Sequence, residues 1–179
     1  MSIELYNGDC LEVMKNIPDK SIDLILCDLP YNISACAWDK MIPLEPLWEL
    51  YNRIIKDNGV IVLFGGEPFS SKVRLSNLKM YKYDWKWEKP NGANFLNSHY
   101  QPLRVHEDIM VFSKSASTHS KNGSMVYNPQ FEVGEPYIRI KENQAVKSGA
   151  TIRSLKERTN TYNNGTRYPR SIIKFNFDK

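Results

Sequence analysis

Residues 22–27 read Ile-Asp-Leu-Ile-Leu-Cys and run directly into Asp28-Leu29-Pro30-Tyr31. A short, largely apolar run of this kind suits a strand covered on both faces. Val60–Phe64 and Ile109–Phe112 are two further runs of the same type. Between them the period changes. Pro43 and Pro46 open a predicted helix with Leu47, Leu50, Ile54 and Ile55 on one stripe, and Asn58-Gly59 predicts its stop. Pro68 opens another, reaching roughly to Leu78. Ahead of these, Ile3–Tyr6 predicts a short strand ending in the turn Asn7-Gly8-Asp9, and Leu11, Met14 and Ile17 recur at helical spacing. Alternating strands and helices predict an open α/β sheet. Such a sheet binds its ligands beyond the carboxyl ends of its strands, which is where Asp28–Tyr31 stands.

Tyr81–Lys89 has another pattern. Tyr81, Tyr83, Trp85 and Trp87 alternate with Lys82, Asp84, Lys86 and Glu88, as in a half-buried strand with an aromatic inner face. Those rings either fill a core or form a platform for stacked bases. Beyond about residue 115 the periodicity fades and polar residues dominate. The expected division is therefore an α/β body over residues 1–114 and an irregular extension over 115–179.

Charge follows a similar division. Residues 1–137 hold 14 Lys and Arg against 17 Asp and Glu. Residues 138–174 hold nine basic residues, Arg139, Lys141, Lys147, Arg153, Lys156, Arg158, Arg167, Arg170 and Lys174, against only Glu142 and Glu157. This segment either neutralises nucleic-acid phosphates or is a solvated tail. Cys10, Cys27 and Cys36 show no CxxC spacing, so they read as reduced thiols of a cytoplasmic protein and imply neither zinc nor a disulfide framework. No apolar run approaches the length of a membrane span.

Asp28-Leu29-Pro30-Tyr31 offers a carboxylate, a rigid turn and an aromatic ring at the site-forming edge of the sheet. These groups suit methyl transfer to an exocyclic amine. Such an amine is a poor nucleophile because its lone pair is delocalised into the ring. An acceptor on each N–H draws the nitrogen towards tetrahedral geometry and frees the lone pair. A carboxylate can supply one acceptor and a neighbouring backbone carbonyl the other. Proline fixes the turn, and a tyrosine ring can stack on a base swung out of its duplex.

The tetrapeptide resembles the (Asp/Asn/Ser)-Pro-Pro-(Tyr/Phe) motif of the amino-methyltransferases that act on DNA. The likeness extends to GDCLEVMKNIPDKSIDLILCDLPYNIS, NGVIVLFGGEPFSS, YDWKWEKPNGANFL and HEDIMVFSK, in the order of the β-class enzymes, and to YNPQ and RYPRSIIKF further on. It implies a partial Rossmann-like sheet, S-adenosylmethionine as cofactor and double-stranded DNA as partner. On it, Asp28 is the acceptor for the target amine, Leu29 the second acceptor through its carbonyl, Pro30 the rigid turn and Tyr31 the stacking ring. Leucine in place of the usual first proline keeps that carbonyl and loses only rigidity. Asp at position 28 favours adenine N6 over cytosine N4. Asp9 and Cys10, with Asp28, fall on the cofactor side, and Asp9 equally suits an N-cap. Lys89, Asn91 and Asn94 in the body, and Arg139, Lys141, Arg153, Lys156 and Arg158 in the extension, are the candidates for facing DNA. Trp38 and Asp39, after Tyr31, either close over the everted base or pack their loop. Gly65-Gly66 reads as a tight turn lining the pocket, and His106-Glu107 as structural hydrogen bonding.

One family feature is missing. The cofactor loop Phe-x-Gly-x-Gly occurs nowhere in the 179 residues. The resemblance then implies a truncated frame or prophage remnant, a split enzyme completed by a second chain or C-terminal part, or an expressed fragment. In each case Ile22–Cys27 is expected to carry an unpaired apolar edge, and the chain alone to bind S-adenosylmethionine weakly. The competing functions are a cytosine-N4 enzyme, a non-catalytic DNA-binding remnant, and an RNA or protein methyltransferase using the same tetrapeptide.

Overall fold

A computed structural model describes residues 2–34, 36–140 and 160–175. The chain forms two units, residues 1–127 with 171–179, and residues 128–170.

The first unit is built on a five-stranded mixed sheet. Its strands are β1 (Ile22–Asp28), β2 (Ile55–Gly65), β3 (Tyr81–Ala93), β4 (Arg104–Phe112) and, from the far end of the chain, β9 (Ile172–Lys174). Their spatial order is β1-β2-β4-β3-β9. β1 and β2 run parallel, as do β3 and β9, while β4 lies antiparallel to both its neighbours. The parallel β1–β2 pair is bridged by helix α2 (Leu44–Ile54), as a parallel pair requires a crossover. Leu47, Trp48, Tyr51 and Ile54 are the buried stripe of α2, while the expected Ile55 is the first residue of the next strand. The helix thus stops before Asn58-Gly59. Glycine is needed at 59 for another reason: a Cβ there would lie 2.9 Å from the Ile55 side chain and 3.0 Å from the Asp23 carbonyl.

Helix α3 (Phe69–Ser76) follows Pro68 and buries Phe69, Ser70 and Val73. Together α2 and α3 pack on β2 and β4, where Ile61, Leu63, Met110 and Phe112 are sealed from solvent. Burying four such side chains contributes about 1.5–3 kcal/mol each.

Three expectations are corrected here. Ile3–Tyr6 is not a strand: Ile3, Leu5 and Tyr6 are exposed, and the segment pairs with no strand among the described residues. Leu11–Ile17 is only a single turn of helix α1 (Cys10–Val13) continued by a 3-10 turn over Met14–Asn16. β1 is covered on one face, not two. Ile25 and Cys27 pack against the core, whereas Leu24 and Leu26 are 53% and 62% exposed. As the terminal strand it has one edge with no partner among the described residues.

β3 meets the expectation of an aromatic inner face only in part: Tyr81 packs into the helix-covered core, 5.6 Å from Phe112, while the other rings are half-buried. Register places Tyr83 beside Val111 and Trp85 beside Ile109, whereas Asp84 lies beside Met110 and Lys86 beside Asp108. The charged row is the one that faces α3, because Arg74 of that helix reaches Asp84 at 2.8 Å and Asp108 at 2.6 Å. Lys86 completes the cluster with Asp84 at 2.8 Å and Asp108 at 2.5 Å. Charges can sit under a helix when each has its counter-ion there.

Residues 128–170, described at 128–140 and 160–170, form two small antiparallel pairs. β5 (Glu132–Val133) pairs with β8 (Thr166–Arg167), and β6 (Tyr137–Arg139) with β7 (Thr161–Asn163). Gly165, at φ +98°, turns between the last two strands with its Cβ position only 2.4 Å from the Gly134 carbonyl, so no side chain fits. Arg167 bonds Asn163 and the Glu135 carbonyl and lies over the Tyr137 ring at 4.8 Å. Among the described residues no helix is long and apolar enough to cross a membrane.

Candidate active site

β1 ends at Asp28, and the chain leaves the sheet through Leu29-Pro30-Tyr31. Asp28 is exposed at the strand end, Leu29 is buried at 5% exposure, and Tyr31 is half-buried. These residues line a cavity of about 460 Å3 together with Ile33, Ser34, Trp38 and Asp39. That volume is in the range of small-ligand sites. The carboxylate therefore faces the cleft rather than the core.

The Tyr31 hydroxyl donates to Asp28 Oδ1 at 2.6 Å. This bond fixes the carboxylate and leaves Oδ2 without a hydrogen-bond partner among the described residues. Burial, followed by the bond to Asp28, pushes the Tyr31 phenol well above its ordinary range, so it remains a donor. One face of its ring is taken: Phe69 stacks on it at 4.8 Å with 26° between planes. Gly65, at the end of β2, permits this approach, since a Cβ there would lie 2.9 Å from Ser70 Oγ and 3.3 Å from the Phe69 ring. Gly65 is thus closely packed against α3, Gly66 lies nearest the Arg104 side chain, and the cavity is lined by neither, so the expected pocket-lining turn is corrected. Phe69 is the residue that sequence reasoning missed; its apolar position just after Pro68 marked a helix start but carried no sign of the tyrosine it meets.

After Tyr31, Asn32 adopts a left-handed conformation at φ +58°, and the backbone doubles back on Asp39. Asp39 Oδ1 accepts from the Asn32 amide at 2.8 Å, and Oδ2 from those of Ile33 and Ser34 at 2.9 and 2.6 Å. Asp39 is only 5% exposed. Its carboxyl is lowered to about 2, chiefly by the Ser34 amide. Trp38, beside it, is 75% exposed.

The other candidates are dispersed. Asp9 caps α1, its Oδ1 accepting from the Leu11 amide at 2.8 Å, and Cys10 is exposed. Asp9 thus presents an exposed carboxylate whose Oδ2 has no hydrogen-bond partner among the described residues. Lys89 is engaged by Glu107 and lies 5.3 Å from the centre of the Trp87 ring. Asn91 is exposed on β3, and Asn94, also exposed, begins a 3-10 turn at φ +71°. Arg139 is exposed on β6. Lys141, Arg153, Lys156 and Arg158 lie outside the described residues. Glu107 serves the ion pair with Lys89, and His106 is exposed opposite Glu88. Among the described residues no group of three or more His, Cys, Asp or Glu is placed to hold a metal.

The profile of one protein family, described as DNA methylase and covering the N6 and N4 enzymes, matches residues 22–174. The chain belongs to the N6/N4 DNA methylase family. S-adenosylmethionine is the methyl donor of that family. The type II methyltransferase M.HpaI of Haemophilus parainfluenzae is 28% identical over 144 residues, 73% of this chain and 45% of that one. The DNA adenine methyltransferase YhdJ of Escherichia coli is 25% identical over 133 residues, 68% of this chain and 45% of that one. This methylase chain thus spans about half the length of these curated relatives. Among solved structures, the cytosine-N4-specific PvuII DNA methyltransferase is similar with a TM-score of 0.48 at 16% identity, covering 62% of this chain and 48% of that one.

Proposed function

We propose that the chain carries the target-base half of a site-specific DNA methyltransferase acting on adenine N6. The observation that supports this is the orientation at the end of β1: Asp28 faces the cavity with Oδ1 held by Tyr31 and Oδ2 left over. In the proposed complex Oδ2 accepts one N–H of an everted base's amine and the Leu29 carbonyl accepts the other. Two acceptors on one NH2 concentrate electron density on the nitrogen, and they do so without reorganising at the moment of reaction. Pro30 restricts the turn that holds the two oxygens together. The free face of Tyr31 stacks on the base. Bound S-adenosylmethionine supplies an electrophilic methyl sulfonium.

Asp9 and Cys10 would lie towards the adenosine end of that cofactor. The glycine loop for its amino-acid end would come from a segment outside these residues, joined to them in one polypeptide or supplied by a second. The edge of β1, without a partner among the described residues and with Leu24 and Leu26 exposed, supports such a neighbour. Arg139, Lys141, Arg153, Lys156 and Arg158 are candidates for meeting phosphates of double-stranded DNA, as are Lys89 and Asn91 for facing it from the body. A role as the modification partner of a restriction system accords with the type II relatives.

The test is the product. DNA from an unmethylated host, treated with the enzyme bearing its cofactor loop, should yield N6-methyldeoxyadenosine on nucleoside mass spectrometry. N4-methyldeoxycytidine would replace the adenine assignment and keep the amine chemistry. Absence of both, with DNA still bound, would favour the non-catalytic reading.

A further inference from the structure

Phe69 occupies one face of the Tyr31 ring, so a base entering the cavity can stack on the other face only. An isolated stack leaves the base's second face to solvent. Trp38 lines the same cavity and is 75% exposed as a residue, although it adjoins one of the most buried carboxylates in the unit. A large, exposed aromatic side chain on an unanchored loop would lose much rotational and backbone freedom on binding. This loop is anchored. Asp39 gathers three consecutive backbone amides, Asn32, Ile33 and Ser34, on its two oxygens, and its own amide donates to the Cys36 carbonyl at 3.1 Å. The Lys40 amide closes on the Trp38 carbonyl at 2.9 Å. The peptide group that follows Trp38 is therefore held at both its C=O and its N–H before any ligand arrives.

We propose that Trp38 is the second stacking wall for the everted base, and that Asp39 is a positioning residue that holds Trp38 opposite Tyr31 by tying its loop to the Asn32–Ser34 backbone. This rests on the pocket being the target-base site. It adds a residue outside the Asp-Leu-Pro-Tyr segment that would set how tightly, and how indifferently to base edge, an extruded nucleotide is retained. Base–aromatic stacking is a main source of affinity for an unpaired base, so the wall is a substantial part of the binding.

The probe is deoxyadenosine, titrated into the full chain with chemical shifts of the Trp38 indole N–H and of residues 28–34 as readout. Trp38→Ala should weaken binding about tenfold and Trp38→Phe about twofold, since phenylalanine keeps a ring. Asp39→Asn places an NH2 group against backbone donors and should weaken binding about fivefold while speeding hydrogen exchange at the Ile33 and Ser34 amides. In the Trp38→Ala background it should add less than twofold, because Asp39 acts through Trp38. That lack of additivity is something a merely structural role would not produce. Equal affinity for wild type, Trp38→Ala and Trp38→Phe overturns the second wall. A full fivefold loss from Asp39→Asn without Trp38 overturns the positioning role. Asp28→Ala separates the two levels: it should weaken binding, and if it does not, the acceptor reading fails while the stack stands or falls on the tryptophan variants. A wild-type chain unmoved by millimolar deoxyadenosine overturns both.

Discussion

Asp28→Ala should lower methyl transfer to DNA by about a hundred- to thousandfold in the enzyme with its cofactor loop present, the range found when one preorganised charge-stabilising group is removed. The substitution deletes the acceptor for the target amine and also leaves the Tyr31 hydroxyl without its 2.6 Å partner. Asp28→Asn should cost less, about tenfold, because an amide oxygen still accepts an N–H but carries no charge. DNA affinity should be unchanged in both, since phosphate contacts from basic side chains dominate it. Radiolabel transfer from S-adenosylmethionine, set beside a gel-shift titration, reads the two quantities separately. Transfer that survives Asp28→Ala within tenfold would mean that the carboxylate is not the acceptor.

The largest effect on stability is expected at Arg74. Its guanidinium joins Glu67, Asp84 and Asp108, and the Asp108 side chain is only 4% exposed. Arg74→Ala strands a buried carboxylate, which costs about 3–5 kcal/mol, with Lys86 holding the loss towards the lower end. Against a typical total of about 5–15 kcal/mol, urea denaturation should show a much earlier midpoint. A loss below about 1 kcal/mol would show that the cluster is not stabilised by its charges. Acid should act on the same groups. Burial works to raise Asp84 and Asp108, but hydrogen bonds from Lys86 and Arg74, joined at Asp84 by the Tyr81 hydroxyl, outweigh it, so both carboxyls titrate below the ordinary 3.8. The folded state then binds fewer protons than the unfolded one. The stability is fully present well above pH 3.8, and is lost as the pH falls below that value through the folded pKa.

The site was more legible in the sequence than its surroundings. Asp28, Leu29, Pro30 and Tyr31 announce themselves because a polar, rigid tetrapeptide ends an apolar strand, and the sheet's geometry says where such an ending lies. Helix α2 was equally plain from its stripe of Leu47, Leu50 and Ile54. What failed depended on partners distant in the chain. Alternation in Tyr81–Lys89 identified a strand but not which face meets a helix, since that is decided by Arg74 on α3. Ile3–Tyr6 has strand composition yet no neighbour among the described residues. The stretch after residue 115 showed no period because its strands among the described residues run for only two or three residues, too short for alternation to register. One of them, β9, joins β3 in the main sheet, a pairing across more than eighty residues that local pattern cannot disclose. The role of Asp39 was likewise hidden, because three amides converging on one carboxylate is a property of the folded loop.

The pocket's chemistry can be tested with two nucleosides that differ at a single group. Deoxyadenosine presents an NH2 where deoxyinosine presents a carbonyl oxygen, so Asp28 Oδ2 and the Leu29 carbonyl should welcome the first and repel the second. Backbone chemical shifts should move at Asp28, Leu29 and Tyr31 on adding deoxyadenosine, with an affinity at least about tenfold above that for deoxyinosine. Equal affinity for the two, or shifts that leave residues 28–31 untouched, would contradict the convergence of two acceptors on an exocyclic amine.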